Sequence, residues 1–374
     1  METEKLKAVA LAEIDQRAEN LIGLAKAVLE DPEAGFREQK TSRRVAGELE
    51  KLGIPLERDI AITGLKGTLE GGTSGPTVAV IGELDSLVVP DHPHADPATG
   101  AAHACAHHVQ LGSMLGVASG LATVGVMEAL AGRVVFIAVP AEEFIEIEYR
   151  DRLRREGKLE FLGGKSEFIR LGAMDDVDMA MMTHTENIAH IGAGSLGVGA
   201  FSNGMLAKRI QFKGLASHAG AWPYKGINAL NAANIALSAI HAQRETFRDE
   251  DAIKVHPIIT KGGTAVSSVP ADVRMETFVR GKTTEAFQSA AQKVDRALRA
   301  GAMAVGASVT ITTLPGYVPL RQSSALTELY AANAAQLVGE QGVFRMGHRS
   351  GSTDMGDIGA LMPVLHPYVG SANG

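Results

Sequence analysis

Apolar residues open the chain at helical spacing: Leu6, Val9, Ile14, Ala18, Leu21, Ile22, Ala25, Val28 and Leu29 fall on one face, the rhythm of an amphipathic helix. Asp31-Pro32 ends it. A second helix is predicted over about Gln39 to Leu52, with Gly53 as its stop signal. Short β-rich runs come next at Leu65–Leu69, Thr77–Ile81 and Val134–Val139, and an apolar helix after His108 separates the last two. Asp178–Thr183 and Ile191–Ala200 read as further strands. Strands alternating with helices predict an α/β layered mixed sheet.

From about Met205 the pattern restarts. Met205–Phe212, Ile253–Thr260, Val273–Val279 and Ser308–Thr313 read as strands, Ala229–Arg244 and Thr284–Ala300 as helices. The order is β-α-β-β-α-β, the ferredoxin-like arrangement, and Pro315-Gly316 closes it. The C-terminal remainder, including a helix over Ser323–Leu337, is too short to fold alone and is expected to rejoin the first unit. The expected division is therefore a discontinuous domain of residues 1–200 and 315–374, with residues 201–314 inserted as a ferredoxin-like α+β domain.

Composition narrows the function. Of 374 residues, 45% are hydrophobic and 21% charged, which excludes a disordered chain. A net charge of −7 with no dominant basic patch argues against a nucleic-acid partner. One cysteine excludes an intramolecular disulfide framework and fits a reducing compartment. The charged N-terminus lacks a signal-peptide core, and Val109–Met127 is too rich in Gly, Ala, Ser and Thr to span a bilayer. A cytoplasmic protein with no membrane partner is expected.

Chemistry concentrates at strand ends. His103-Ala104-Cys105-Ala106-His107-His108 holds the only cysteine and three histidines; thiolate and imidazole suit Zn, and imidazole also suits Mn, Fe, Co and Ni. Glu142 and Glu143 come straight after the strand Val134–Val139, where two carboxylates can divide cation binding from proton transfer; the alternative is a solvated acidic turn. His184 lies after Asp178–Thr183, and Asp85 after Thr77–Ile81. Asp85 can bind a metal or orient a ligating histidine. Small residues flank His218, so its imidazole can approach and donate to a developing oxyanion. The run Ser350–Asp357, with Ser352 and Thr353, offers donors for a carboxylate or a helix cap.

Together and in this order, these segments resemble the M20 family of metal-dependent amidohydrolases and peptidases, in particular its aminobenzoyl-glutamate hydrolase and N-acyl amino acid hydrolase branch. The resemblance runs from Asp31–Phe36 through Gly82–Asp85, His103–His108, Pro140–Glu143, Gly172–Asp178, His184, Ser217–Ala219, Gly262-Gly263 and Val269-Pro270 to Gly351–Asp357. It implies a catalytic α/β domain with an inserted ferredoxin-like lid that makes a homodimer. It implies Cys105, His107, Glu143 and His184 as ligands of one or two divalent ions, zinc or manganese, with Asp85 orienting a ligand. Glu142 would be the general base, and His218, often reaching from the partner subunit, would stabilise the oxyanion. The implied substrate is a small molecule bearing a carboxylate: an N-acyl or aminoaroyl amino acid, or a dipeptide.

The chain also departs from the family. Ala106 stands where Cys-Gly-His is usual, and Ser267 where an Asn normally helps hold substrate, leaving Arg280 as an anion partner. The family pattern continues past Met362–Gly370 to a further His ligand, for which His366 is a conceivable substitute beside its reading as a loop residue. Two rival functions arise: hydrolytic deamination of an amino-aromatic acid such as 5-nitroanthranilate, and a catalytically impaired binding protein of the same fold. Retention of Glu142 and Glu143 argues against the second.

Overall fold

A computed structural model describes residues 3–372. Its largest sheet has six strands in the order Leu56–Ile60, Gly64–Glu70, Ala131–Val139, Thr73–Glu83, Met179–Met181 and Val364–Leu365. The first two pairings are antiparallel and the last three parallel, so the sheet is mixed. The parallel strands end along one edge, with Glu83 opposite Val139, Val80 opposite Met181, and Met181 opposite Leu365. Apolar side chains on both faces explain why these strands are buried: one face packs Val45, Leu49, Leu111, Met114 and Phe136, the other Ile81, Ile137, Phe168 and Ile358.

Residues 204–315 build a second sheet in the order Lys254–Val255, Asp272–Gly281, Gly204–Lys213 and Ser308–Pro315, all antiparallel, with Ile258–Lys261 also paired to Asp272–Gly281. Numbered along the chain this is the 4-1-3-2 order of a ferredoxin-like unit. Strand Asp272–Gly281 alternates buried and half-buried residues, as a sheet covered on one face requires. Helices Ala229–Ala242 and Thr284–Ala304 cover that face through alanines, with Val294 and Leu298 between them. The two units meet at Phe144, Ile147, Leu162, Met205, Leu314 and Tyr317.

Several expected elements differ in detail. The first helix is two, Thr3–Gln16 and Ala18–Leu29, broken at Arg17. The expected strand Ile191–Ala200 is a short helix, Ile188–Ile191, followed by a strand at Leu196–Val198 only. Asn187 caps that helix by accepting from the Ala189 amide, and Gly192 and Gly194 then turn the chain at positive φ. The strand Ile253–Thr260 is interrupted at His256-Pro257, because proline has no amide to donate. Strand Asp178–Thr183 shortens to Met179–Met181, and His184 opens a new strand in a four-stranded sheet. Helices Ile147–Arg155 and Gly164–Arg170 carry no clear apolar period, so the sequence pattern does not predict them. Among the described residues no helix is long and apolar enough to cross a membrane.

Candidate metal centre

The ends of the parallel strands deliver the polar side chains. Glu83 and Asp85 leave the central strand, Pro140–Glu143 its neighbour, Met182–His184 the next, and His366 the last. Ligand sites of α/β sheets form at this edge. Cys105 and His107 join them from the start of helix His107–Leu121.

Cys105, His107 and His184 each present a ligand atom within 4.8 Å of the others, and so do Glu83, His107 and Glu142. Cys105 Sγ lies 3.3 Å from His184 Nε2. His107 Nδ1 is 2.8 Å from the Asp85 carbonyl and 3.4 Å from its Oδ1, so Nδ1–H donates there and Nε2 faces the site. His184 Nδ1 likewise donates to the Thr185 carbonyl at 2.8 Å, leaving Nε2 toward Cys105. Asp85 also accepts from the Glu143 amide at 2.9 Å, so one buried carboxylate orients both segments. Glu142 is buried and Glu143 half-buried, which removes the solvated-turn reading.

Burial pushes Glu142 well above the ordinary carboxylate range, and the charges of Glu83 and Glu143 add to it. Burial raises Glu143 as well and pushes the Cys105 thiol up to about 12. It lowers His184. For His107 burial acts downward, but Glu83 and Cys105 hold it well above its usual value. These shifts describe carboxylates and a thiol crowded together in a buried site, with Lys165 and His107 as the facing cations. Glu143 Oε1 is buried with no hydrogen-bond partner among the described residues, and Asp85 Oδ1 has only the 3.4 Å contact with His107 Nδ1. Buried polar atoms seldom stay unpaired, and soft and borderline donors left open toward one another fit a divalent transition metal.

The other expected residues divide. His103 and His108 lie with ring centroids 5.5 Å apart, tilted by 58°, and stand outside the Cys105 group. His366 is buried at the strand edge, its ring 5.9 Å from His184 and stacked on Tyr368, with Nδ1 unpartnered. Thr353 Oγ1 accepts from the Met355 amide, as a cap does, and Ser352 Oγ is buried without a partner. Arg280, on the second sheet, forms no ion pair or side-chain hydrogen bond among the described residues. Burial lowers its pKa while Glu142, Tyr317 and Glu143 oppose that, and the guanidinium lies over the Phe278 ring at 5.1 Å. Ser267 and His218 lie exposed on loops of the inserted unit. His218 Nδ1 accepts from the Gly220 and Ala221 amides at 3.2 and 3.0 Å, so Nε2 carries the proton and is free to donate.

Sequence reasoning assigns no role to four buried residues here. Arg150 supports the Ala141–Glu143 turn, donating to the carbonyls of Ala141, Leu162 and Glu143. The Tyr317 hydroxyl donates to the Glu142 carbonyl. Lys165 and Gln110 both contact Glu83. None has a local motif that marks it; each becomes legible only when distant segments meet.

A mixed α/β sheet with a thiol, imidazoles and paired carboxylates at its parallel edge, carrying an inserted ferredoxin-like unit, is the architecture of a metal-dependent hydrolase. Comparisons with known proteins agree. The M20 peptidase dimerisation domain matches residues 187–304. The chain is 29% identical to the Xaa-Arg dipeptidase of Mus musculus, over 98% of this chain and 80% of that protein. Its fold is shared with the YXEP protein of Bacillus subtilis, described as a dinuclear metal binding peptidase of the M20 family (TM-score 0.66, 21% identity, 95% of this chain and 90% of that one). It is shared also with the aminobenzoyl-glutamate utilization protein of Klebsiella pneumoniae (TM-score 0.73, 22% identity, 96% and 92%). The chain carries an M20 peptidase dimerisation domain, and the homologues it matches are M20 hydrolases acting on carbon–nitrogen bonds.

Proposed function

We propose that this protein hydrolyses the amide bond of an N-acyl or aminoaroyl amino acid, or of a dipeptide, in the cytoplasm, as a homodimer. The carrying observation is the convergence of Cys105, His107 and His184 beside Glu142 and Glu143. Cys105, His107, Glu143 and His184 would hold one or two divalent ions, and the thiolate favours zinc over manganese. A metal bound there supplies Lewis acidity, polarising the scissile carbonyl and acidifying water. Glu142 takes a proton from the attacking water and returns it to the departing nitrogen; its raised pKa suits both transfers near neutral pH. Its place is kept by the Tyr317 hydroxyl on its own carbonyl and by Arg150 beneath the turn. Arg280 supplies an unpaired cation for the substrate carboxylate, with Ser352 as a hydroxyl donor, while Thr353 serves the helix cap; Ser267, beside His218 at the other end of the inserted sheet, would contribute from the lid loop. The Nε2–H of His218 donates to the oxyanion.

The domain boundaries that go with this reading are residues 1–200 with 315–374 for chemistry and 201–314 for the lid. Elemental analysis after exhaustive dialysis should find about one or two ions per chain, lost in Cys105→Ser and Glu143→Ala. Glu142→Gln should keep the metal and lose on the order of 10²–10⁴ in kcat on acyl amino acids and dipeptides. Metal-free wild-type protein would sink the reading. Ammonia released from an amino-aromatic acid, with no second organic product, would replace amide hydrolysis with deamination.

A further inference from the structure

Lys165 sits on the first turn of helix Gly164–Arg170, its side chain 1% exposed. Its ammonium contacts two carboxylates, Glu83 at the end of the central strand and Asp354 just before helix Met355–Gly359, both equally buried. The Lys165 amide donates to the other Asp354 oxygen at 3.0 Å. Glu83 is also gripped from the far side, accepting from Gln110 Nε2 at 3.1 Å, while the Glu83 amide donates to Gln110 Oε1 at 2.6 Å. That same Glu83 oxygen stands 3.0 Å from His107 Nε2, the nitrogen that Asp85 leaves unengaged. Glu83 is thus held from three sides, by Lys165, Gln110 and His107. Gly164 adds a mechanical link: a Cβ there would lie 1.7 Å from the Pro140 carbonyl oxygen, so the helix start is pressed directly beneath the turn that carries Glu142.

Desolvation largely cancels the attraction within a buried ion pair, which makes it a weak source of stability. Three segments distant in sequence nevertheless direct their buried charges to one point beside a ligand. We propose that Lys165 is a positioning residue for the hydrolytic centre: by clamping Glu83 and Asp354 it fixes the Glu83 carboxylate against His107 Nε2 and seats the turn bearing Glu142. Lys165 touches neither substrate nor metal; it acts through Glu83 and through the helix on which it stands. This inference rests on the metallohydrolase reading above.

The test uses the full chain loaded with Co²⁺, whose visible bands report ligand geometry. Asp354→Asn, nearly isosteric, should fold, keep KM within about twofold, lower kcat and cobalt affinity by roughly 10–100-fold, and shift the bands. Lys165→Met alone leaves Glu83 and Asp354 buried and uncompensated, so it is paired with the triple variant Lys165→Met/Glu83→Gln/Asp354→Asn, which removes all three charges. The triple variant should recover the wild-type melting temperature without recovering kcat or the bands. Recovery of all three would reduce Lys165 to charge balance and overturn the proposal, as would wild-type bands and kcat in Asp354→Asn. Wild-type protein that gave no cobalt bands would overturn the metal-site reading itself, and with it the proposal; wild-type bands with unchanged variants would overturn the proposal alone.

Discussion

Ala106 carries its methyl group at φ 62° and ψ 29°, a left-handed conformation at the N-cap of helix His107–Leu121. That geometry turns the chain so that Cys105 and His107 face the same point, and it costs an L-residue roughly 1–2 kcal/mol. The glycine of the usual Cys-Gly-His pattern avoids the cost but has more unfolded-state freedom to lose, about 0.4–1 kcal/mol. Ala106→Gly should therefore stabilise the protein by between about 0 and 1.6 kcal/mol, measured by urea unfolding, with cobalt or zinc affinity unchanged. A loss of stability would mean that the methyl group makes contacts that outweigh the backbone strain. Ala141, before the paired glutamates, holds a similar φ of 56°. Both strained residues precede site side chains, where such strain characteristically collects.

The strands and helices decide which of these residues can meet. Parallel pairing of Thr73–Glu83 with Ala131–Val139 and Met179–Met181 brings their ends to one edge, so three carboxylates and a histidine from separate segments converge without any local motif linking them. The short helix Met355–Gly359 closes the far side through Asp357, whose carboxyl accepts from the Ser166 hydroxyl and the Val318 amide. Burial raises Asp357 from its ordinary value to about 7, despite both hydrogen bonds. Between about pH 4 and pH 7 the folded protein keeps a proton there that the unfolded chain has released. Stability attributable to this group thus falls as pH rises through that window, by at most about 1.4 kcal/mol per unit, and levels off above it. Asp357→Asn should flatten the dependence of the urea midpoint on pH across the same range. An unchanged slope would show that Asp357 titrates as it does in the unfolded chain.

At the scale of the whole molecule, the centre within one chain gathers Cys105, His107, His184, Glu142 and Glu143, whereas His218 stays exposed on the inserted unit, beside the exposed Leu215, Trp222 and Val266. An oxyanion donor has to be screened from water to be effective, so the exposed imidazole needs a covering surface, and the dimerisation domain offers a second subunit for it. Mixing His218→Ala with Glu142→Gln, each inactive, should then restore about a quarter of wild-type activity, since half of the random dimers carry one complete site. No restoration in dimers shown to exchange subunits would place His218 in its own chain's site.

The ferredoxin-like unit was legible because its strands and helices are each long enough to show a period. Cys105, His107, Glu142, Glu143 and His184 were legible as candidate donors, because they sit in short motifs at the ends of apolar runs. The break at Arg17 and the short helix Ile188–Ile191 were not, since the breaks lie in contacts and caps rather than in the hydrophobic rhythm. Lys165, Arg150 and Tyr317 look like ordinary polar residues on weakly patterned segments. The sequence by itself determined the layered α/β class, the inserted unit and the chemistry of the donors, because periodicity and residue type are local properties. Only the tertiary structure decided which oxygen faces which nitrogen, that Glu83 is gripped by Lys165 and Gln110, and that Asp85 rather than solvent orients His107, because burial and charge pairing arise when segments far apart in the chain are brought into contact.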